Sequence, residues 1–315
     1  MRELSLGEYI KQERIRQGIT QEQLCEGICE PITISRMENG KQIPSYTRIC
    51  TFLQRLGLPD DQYFALLNQN ELEIKTLQDE IRADIVRFER STSEKRHDIR
   101  KTGLQKLEKL EKLAKPDERI IRQYIFAMKI SFGKPNRPYS LDEEFKLTLE
   151  ALHITIPNFD FEEINRGLYS LDESTLINLL ANIYVNMEQL NQAIDIYRQL
   201  LRYVQKHYRK LPRYGRKLIL IAHNYTRTLF IAGRYDDALE IATLGQNACI
   251  EYAHYRFLPG LLELQGECYF HKGEPEKCKK YYWDAHCLYK VIGNDRNRLL
   301  LEETAKKNFN MNFSF

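Results

Sequence analysis

Hydrophobic positions along this chain recur three or four residues apart, and strict apolar–polar alternation is scarce. That periodicity predicts an all-α protein. Ser5-x-x-Glu8 and Thr20-x-x-Gln23 are capping-box sequences, which start helices near Leu6 and Gln21. Gly18 ends the first of them. Pro31 suits the first turn of a third helix. Pro44-Ser45 opens a fourth helix through Leu56, and Gly57-Leu58-Pro59 stops it. A fifth, from about Asp60 to Leu67, completes a small domain over 1–67.

Residues 68–115 are rich in charge and lack proline. Leu77, Ile81, Ile85 and Phe88 fall at steps of four, four and three, which places them on one helical face. This linker region reads as a connecting helix packed on its neighbours. A coiled-coil dimer seam is the competing reading, but few heptads are sustained.

From 116 to 315 helix pairs recur. Tyr184, Ala193 and Tyr197 are spaced by nine and four residues, and Tyr269, Cys278 and Tyr282 repeat those steps. Between them Gly233-Arg234-Tyr235-Asp236-Asp237-Ala238-Leu239 is a turn followed by a small residue, with counterparts beginning at Met187 and Gly273. This arrangement resembles the tetratricopeptide repeat, in which a large aromatic on one helix packs against a small residue on the other. The offsets from Ala193 to Ala238 to Cys278 are 45 and 40 residues, longer than the usual ~34, so the helices are extended. The resemblance implies a right-handed superhelix of stacked pairs.

The segment from Thr20 to Pro44, TQEQLCEGICEPITISRMENGKQIP, carries the chemistry of the first domain. Leu24 and Ile28 supply an apolar side for the next helix, where Ile34 and Met37 face the core. Ile32, Thr33, Ser35 and Arg36 are left to the outside. Gln21 stands in a first helical turn, where backbone N–H groups and an amide can meet a phosphate. TQEQL and ISRMENGKQIP resemble the phage-repressor (Cro/C1, or XRE) class of helix-turn-helix, a lambda-repressor-like fold. The resemblance implies DNA contacts by Gln21, Thr33, Arg36, Asn39 and Lys41. Among these Arg36 is suited to base reading, since a guanidinium pairs bidentately with guanine. Gln21, Asn39 and Lys41 suit phosphate positioning, and Ile32 a thymine methyl. The class also implies an ion pair between Arg14 and Glu38 that holds the first and third helices together.

Composition narrows the partners. The chain has 315 residues, 47 Lys and Arg against 44 Asp and Glu, and a formal net charge of +3. So small an excess excludes a polyelectrolyte coat and leaves a local, shaped contact with nucleic acid. Seven cysteines, an odd count, fit free thiols in a reducing compartment. Cys25 and Cys29 lack a nearby Cys/His pair, so a zinc site is not expected. Neither a long apolar run nor a signal-peptide core is present, which predicts a cytoplasmic protein without a membrane contact. No Gly-rich phosphate loop or metal-ligand cluster occurs and the histidines are scattered, so no enzyme, cofactor or metal is expected.

Stacked repeats present a concave surface lined by the first helix of each pair. Counted from the repeat register, the lining positions are Asn178, Asn182, Asn186, His223, Arg227, Phe230, Glu263, Glu267 and His271. A repressor-class head followed by degenerate repeats resembles the Rgg/PlcR/PrgX regulators of Gram-positive bacteria. These are cytoplasmic quorum-sensing receptors that hold a short peptide in the repeat groove and bind DNA as homodimers. The resemblance therefore implies a transcriptional regulator with a palindromic duplex operator, a signalling peptide at the lining positions, and a second copy of the chain. Two other readings stand beside it: repeats that hold a protein partner, and a repeat scaffold with a vestigial head. Aspartate phosphatases share the repeats without this head.

Overall fold

Both capping boxes close as the sequence predicts. At the start of α1 (Leu6–Arg16) Ser5 Oγ accepts the Glu8 N–H and Glu8 accepts the Ser5 N–H. Thr20 and Gln23 make the same exchange at the start of α2 (Gln21–Cys25). The computed structural model describes residues 5–61, 67–91, 93–133, 139–309, 311 and 313, and among these there is no strand. The chain divides into two compact units, one of Met1–Ile183 with His207–Pro212 and one of Tyr184–Lys206 with Arg213–Phe315.

The first unit opens with the head. α3 (Pro31–Glu38) and α4 (Tyr46–Arg55) complete its four described helices, and Ile10, Leu24, Ile28, Ile34, Met37, Ile49, Phe52 and Leu53 fill one core. Each such side chain contributes roughly 1.5–3 kcal/mol by leaving water. The expected fifth helix falls mostly on residues 62–66, outside the described residues.

Residues 68–115 form two helices where one was expected. α5 (Gln69–Arg90) and α6 (Ser93–Leu113) run antiparallel, with Lys106 Nζ 2.9 Å from Asp84 and Lys109 Nζ 2.7 Å from Glu73. The chain leaves α5 at Ser91, in extended backbone, and Arg96 Nε caps the Phe88 carbonyl at 3.1 Å. No Gly or Pro marks this reversal; its only trace in the sequence is the run Ser91-Thr92-Ser93. Leu77, Ile81, Ile85 and Phe88 do share a face. It packs on Leu107 and Leu110 of α6 and on Ile121 and Tyr124 of α7 (Arg119–Phe132), so it is no free coiled-coil seam. Next come α8 (Leu141–His153), packed on α7, and α9 (Leu171–Asn186).

The second unit holds two whole repeat pairs, α11–α12 and α13–α14, whose ranges follow. α10 (Leu190–His207) precedes α11 (Tyr214–Ile231), α12 (Tyr235–Glu251), α13 (Leu258–His271), α14 (Pro275–Val291) and α15 (Asp295–Phe309). Ala193, Ala238 and Cys278, the small residues of the repeat pattern, are all fully buried, as are Tyr197 and Tyr282. Gly266 lets the Tyr282 ring close on α13, since a Cβ there would stand 2.7 Å from the ring.

Equivalent turns end the first helix of each pair with a left-handed residue: Gly233 at φ 71°, Gly273 at φ 76°, and Glu188 at φ 62°. A non-glycine side chain in that region costs about 1–2 kcal/mol. Glu188→Gly is therefore expected to raise the unfolding free energy by about 1 kcal/mol, less the added freedom of the unfolded chain. Urea unfolding of the full chain measures it, and an unchanged or lower midpoint would refute the assignment.

Candidate nucleic-acid interface and candidate ligand groove

Head geometry begins with a buried ion pair. Arg14 donates from Nε to Glu38 Oε1 at 2.6 Å and from Nη2 to Glu38 Oε2 at 2.8 Å. Its remaining terminal nitrogen donates to the Ile19 carbonyl at 2.8 Å. Three fixed bonds of one guanidinium thus hold α1, the turn before α2, and α3 in register. Gln21 joins this frame, its Nε2 donating to Glu38 Oε2 at 2.7 Å. Removing one partner of a buried pair leaves an uncompensated charge, so Arg14→Ala should destabilise the fold by roughly 3 kcal/mol. Weaker DNA binding with an unchanged melting temperature would contradict that structural role.

α3 turns its other side to solvent. Ile32 is 55% exposed and Arg36 is exposed, while Thr33 and Ser35 are half-buried. Asn39 is the C-cap and donates from Nδ2 to the Ser35 carbonyl at 2.8 Å. Lys41 is exposed just beyond, its backbone N–H bonded to the Arg36 carbonyl at 2.8 Å. The structure therefore brings Ile32, Thr33, Ser35, Arg36, Asn39 and Lys41 onto one exposed helix and its exit turn. Gln21 lies on α2, with its amide nitrogen engaged by the frame.

Behind the head lies a network the sequence reading missed. Arg55, on the buried side of α4, donates from Nη1 to the Leu24 and Glu26 carbonyls at 3.1 and 2.8 Å. From Nη2 it donates to the Thr155 carbonyl at 3.1 Å and to Glu173 Oε1 at 2.8 Å. Thr155 Oγ1 donates to the same Glu173 oxygen, and Gln123 Nε2 donates to Thr155 Oγ1, each at 2.6 Å. The Arg55 and Glu173 side chains are 2% and 1% exposed. One guanidinium thus ties the turn between α2 and α3 to the first turn of α9. The available signal was a charged residue inside the apolar run of α4, between Phe52-Leu53 and Leu56.

The nine groove positions separate by unit. Asn178, buried, and Asn182, half-buried, lie on α9 in the first unit, while Asn186 ends that helix and is exposed. In the second unit α11 carries His223, Arg227 and Phe230 and α13 carries Glu263, Glu267 and His271, and these two helices pack directly on each other. The His223 ring lies 5.1 Å from Phe257, and burial lowers its pKa, favouring the neutral ring. Arg227 is exposed. Phe230, Tyr235 and His271 form an aromatic cluster, the last two stacked at 4.9 Å.

Glu263 and Glu267 are each held from α14. Tyr289 donates its hydroxyl to Glu263 Oε2 at 2.8 Å, and Tyr282 donates to Glu267 Oε1. Burial pushes the Glu263 carboxyl up to about 7, against the opposing effect of the Tyr289 hydrogen bond. Gly260, one turn earlier, lets the His223 ring close on α13: a Cβ there would stand 2.9 Å from His223 Nε2. The second-unit positions therefore form a mixed surface of cation, neutral imidazole, aromatic rings and proton-sharing acid. Tyr282 and Tyr289 were missed as its supports because in the sequence they read only as core aromatics.

A family model described as the RNPP family C-terminal domain matches residues 148–309, just over half of the chain. The chain belongs to the RNPP family. A helix-turn-helix domain model matches residues 5–65 of this RNPP protein. Its fold is similar to that of PlcR from Bacillus thuringiensis, solved in complex with the peptide PapR7 and DNA, at 18% identity and TM-score 0.57, covering 95% of this chain and 99% of that one. It is also similar to the apo form of the competence regulator ComR from Streptococcus vestibularis, at 17% identity and TM-score 0.54, covering 97% and 98%. ComR from S. thermophilus, in complex with DNA and its signalling peptide ComS, gives 16% identity and TM-score 0.50, covering 95% and 98%. No curated protein matches the sequence. Among the described residues no helix is long and apolar enough to cross a membrane.

Proposed function

We propose that this RNPP protein is a sequence-specific DNA-binding transcriptional regulator whose binding is set by a short signalling peptide held in the repeat domain. The observation that carries the reading is the presence, in one chain, of an outward-facing α3 on a rigid head and an RNPP C-terminal domain over 148–309. PlcR and ComR, of the same fold, have been solved with DNA and peptide together, which supports it. In this reading Arg36 reads a base, while Asn39, Lys41 and the N-terminus of α2 position the backbone. Two copies read a palindrome, with heads about one helical turn (~34 Å) apart. The protein acts in the cytoplasm, where both the operator and an imported peptide are found, and it catalyses no reaction.

Arg227, Glu263 and Glu267, in the second unit, read the peptide's charged groups; Asn182, half-buried on α9 of the first unit, offers its amide to a peptide backbone, and Asn178 is buried there. Glu173 lies nine residues before Asn182 on α9, so the Arg55–Glu173 network is the route by which a peptide held at Asn182 biases the head. Affinity selection from a random heptapeptide library, read by mass spectrometry, tests the groove. The full chain should retain a restricted set of peptides, and Asn182→Ala should lose most of them. Retention of no peptide would contradict the reading; equal retention by the variant would remove Asn182 from the site.

A further inference from the structure

Charge is spread unevenly along this chain. Residues 196–235 hold ten of its 47 Arg and Lys residues and none of its 44 Asp and Glu residues, so the rest of the chain is net negative. Within the second unit this acid-free tract covers the later turns of α10 and the first turns of α11. Arg202 and Lys206 on α10 and Arg216 on α11 are exposed there.

These three cations fall close together. Six residues join α10 to α11, and so short a connection makes the two helices antiparallel neighbours. Their register is fixed by Tyr197, which stacks on Tyr225 with ring centroids 5.8 Å apart. Nine residues from each tyrosine toward the turn stand Lys206 and Arg216, which therefore lie side by side. Arg202 stands one turn behind Lys206, about 6 Å along the helix.

Helix stability does not explain them. Elsewhere in this unit a surface cation stands three residues from an acid and pairs with it, as Arg198 does with Asp195, Lys277 with Glu274 and Arg298 with Asp295. No acid stands three or four residues from Arg202, Lys206 or Arg216, and none of the three makes an ion pair among the described residues. Arg202 is instead four residues from both Arg198 and Lys206, and Arg216 is three from Arg213. Like charges at those steps destabilise a helix. The first turn of α11 also holds no acid, although the helix dipole favours one there.

The neighbouring side chains select the kind of polyanion. No large apolar side chain is exposed between residues 196 and 230, and Tyr203 and Tyr214 are buried. Stable attachment to a membrane surface needs apolar side chains beside the cations, and a single strand needs aromatic rings on which to stack. A duplex presents its phosphates outward and asks only for cations.

We propose that Arg202, Lys206 and Arg216 bind the phosphates of duplex DNA, giving the repeat domain a sequence-independent contact in addition to the base-reading head. The choice of a duplex rests on the proposed DNA-binding role of the head; the unpaired charge does not. This contact adds affinity and salt dependence, whereas α3 adds sequence preference.

The test is an anisotropy titration of the full chain on a duplex of arbitrary sequence across a range of potassium chloride. The triple variant Arg202→Gln, Lys206→Gln, Arg216→Gln should give a log–log salt slope shallower by about 2.7, three phosphates at about 0.9 each. Wild type should thus lose about 40-fold more affinity than the variant over roughly a fourfold rise in salt. Because the variant removes like-charge repulsion, it should melt no lower than wild type. Arg202→Lys with Arg216→Lys, which keeps the charge, should keep the slope. Lys41→Ala, run beside them, separates this contact from the head. A slope lowered by the triple variant but not by Lys41→Ala would keep this contact and remove that of the head. A slope lowered by Lys41→Ala but not by the triple variant would overturn the proposal and spare the head, and no duplex binding by wild type would overturn both. Binding to phosphatidylserine vesicles that the triple variant loses, with its duplex slope unchanged, would overturn the proposal in favour of a membrane surface.

Discussion

Arg55→Met is expected to lower the unfolding free energy by about 3–5 kcal/mol, the cost of leaving a buried carboxylate without its partner. The side chain is almost wholly buried, and its four hydrogen bonds serve the carbonyls of Leu24, Glu26 and Thr155 and the Glu173 carboxylate. Methionine fills much of the volume but donates nothing. Glu173→Gln should cost less, about 1–3 kcal/mol, because an amide oxygen still accepts from Arg55 while the charge is lost. The double variant should be less destabilised than the sum of the two, since its remaining groups no longer include an unpaired ion. Guanidinium unfolding of the four proteins measures all three terms. Additive losses would show that Arg55 and Glu173 act independently, and would remove the route proposed between groove and head.

Arg36→Ala should weaken binding to the chain's best duplex by about 1–3 kcal/mol and relax preference at one base pair. Melting should be unchanged, because the side chain is exposed and surface substitutions of this kind shift stability by about 0.5 kcal/mol or less. Lys41→Ala supplies the contrast: affinity should fall by a similar factor on every sequence, with a shallower salt dependence. Anisotropy titrations on a duplex and its single-position variants separate the two. Equal losses on all duplexes for Arg36→Ala would reassign it to the backbone.

The head was legible because its signals are local. A capping box depends on residues three apart, and the outward or inward direction of Ile32, Ile34, Arg36 and Met37 follows from helical period alone. The repeat register was legible for a similar reason, since a small residue opposite a large aromatic recurs at fixed spacing. The α5–α6 reversal was not, because it rests on tertiary cover of one apolar face rather than on a helix breaker. Arg55 was missed for a deeper reason: its partner Glu173 lies 118 residues away, and no local rule links them.

The most direct measurement is selection of binding sites from a random duplex library by the full chain, read by sequencing in the presence of the peptides that the groove selects. The expected product is a twofold-symmetric consensus with half-sites about one helical turn apart, weaker or absent when the peptides are withheld. A library recovered without sequence enrichment, or the same enrichment with and without peptide, would contradict a reading head under the control of a ligand groove.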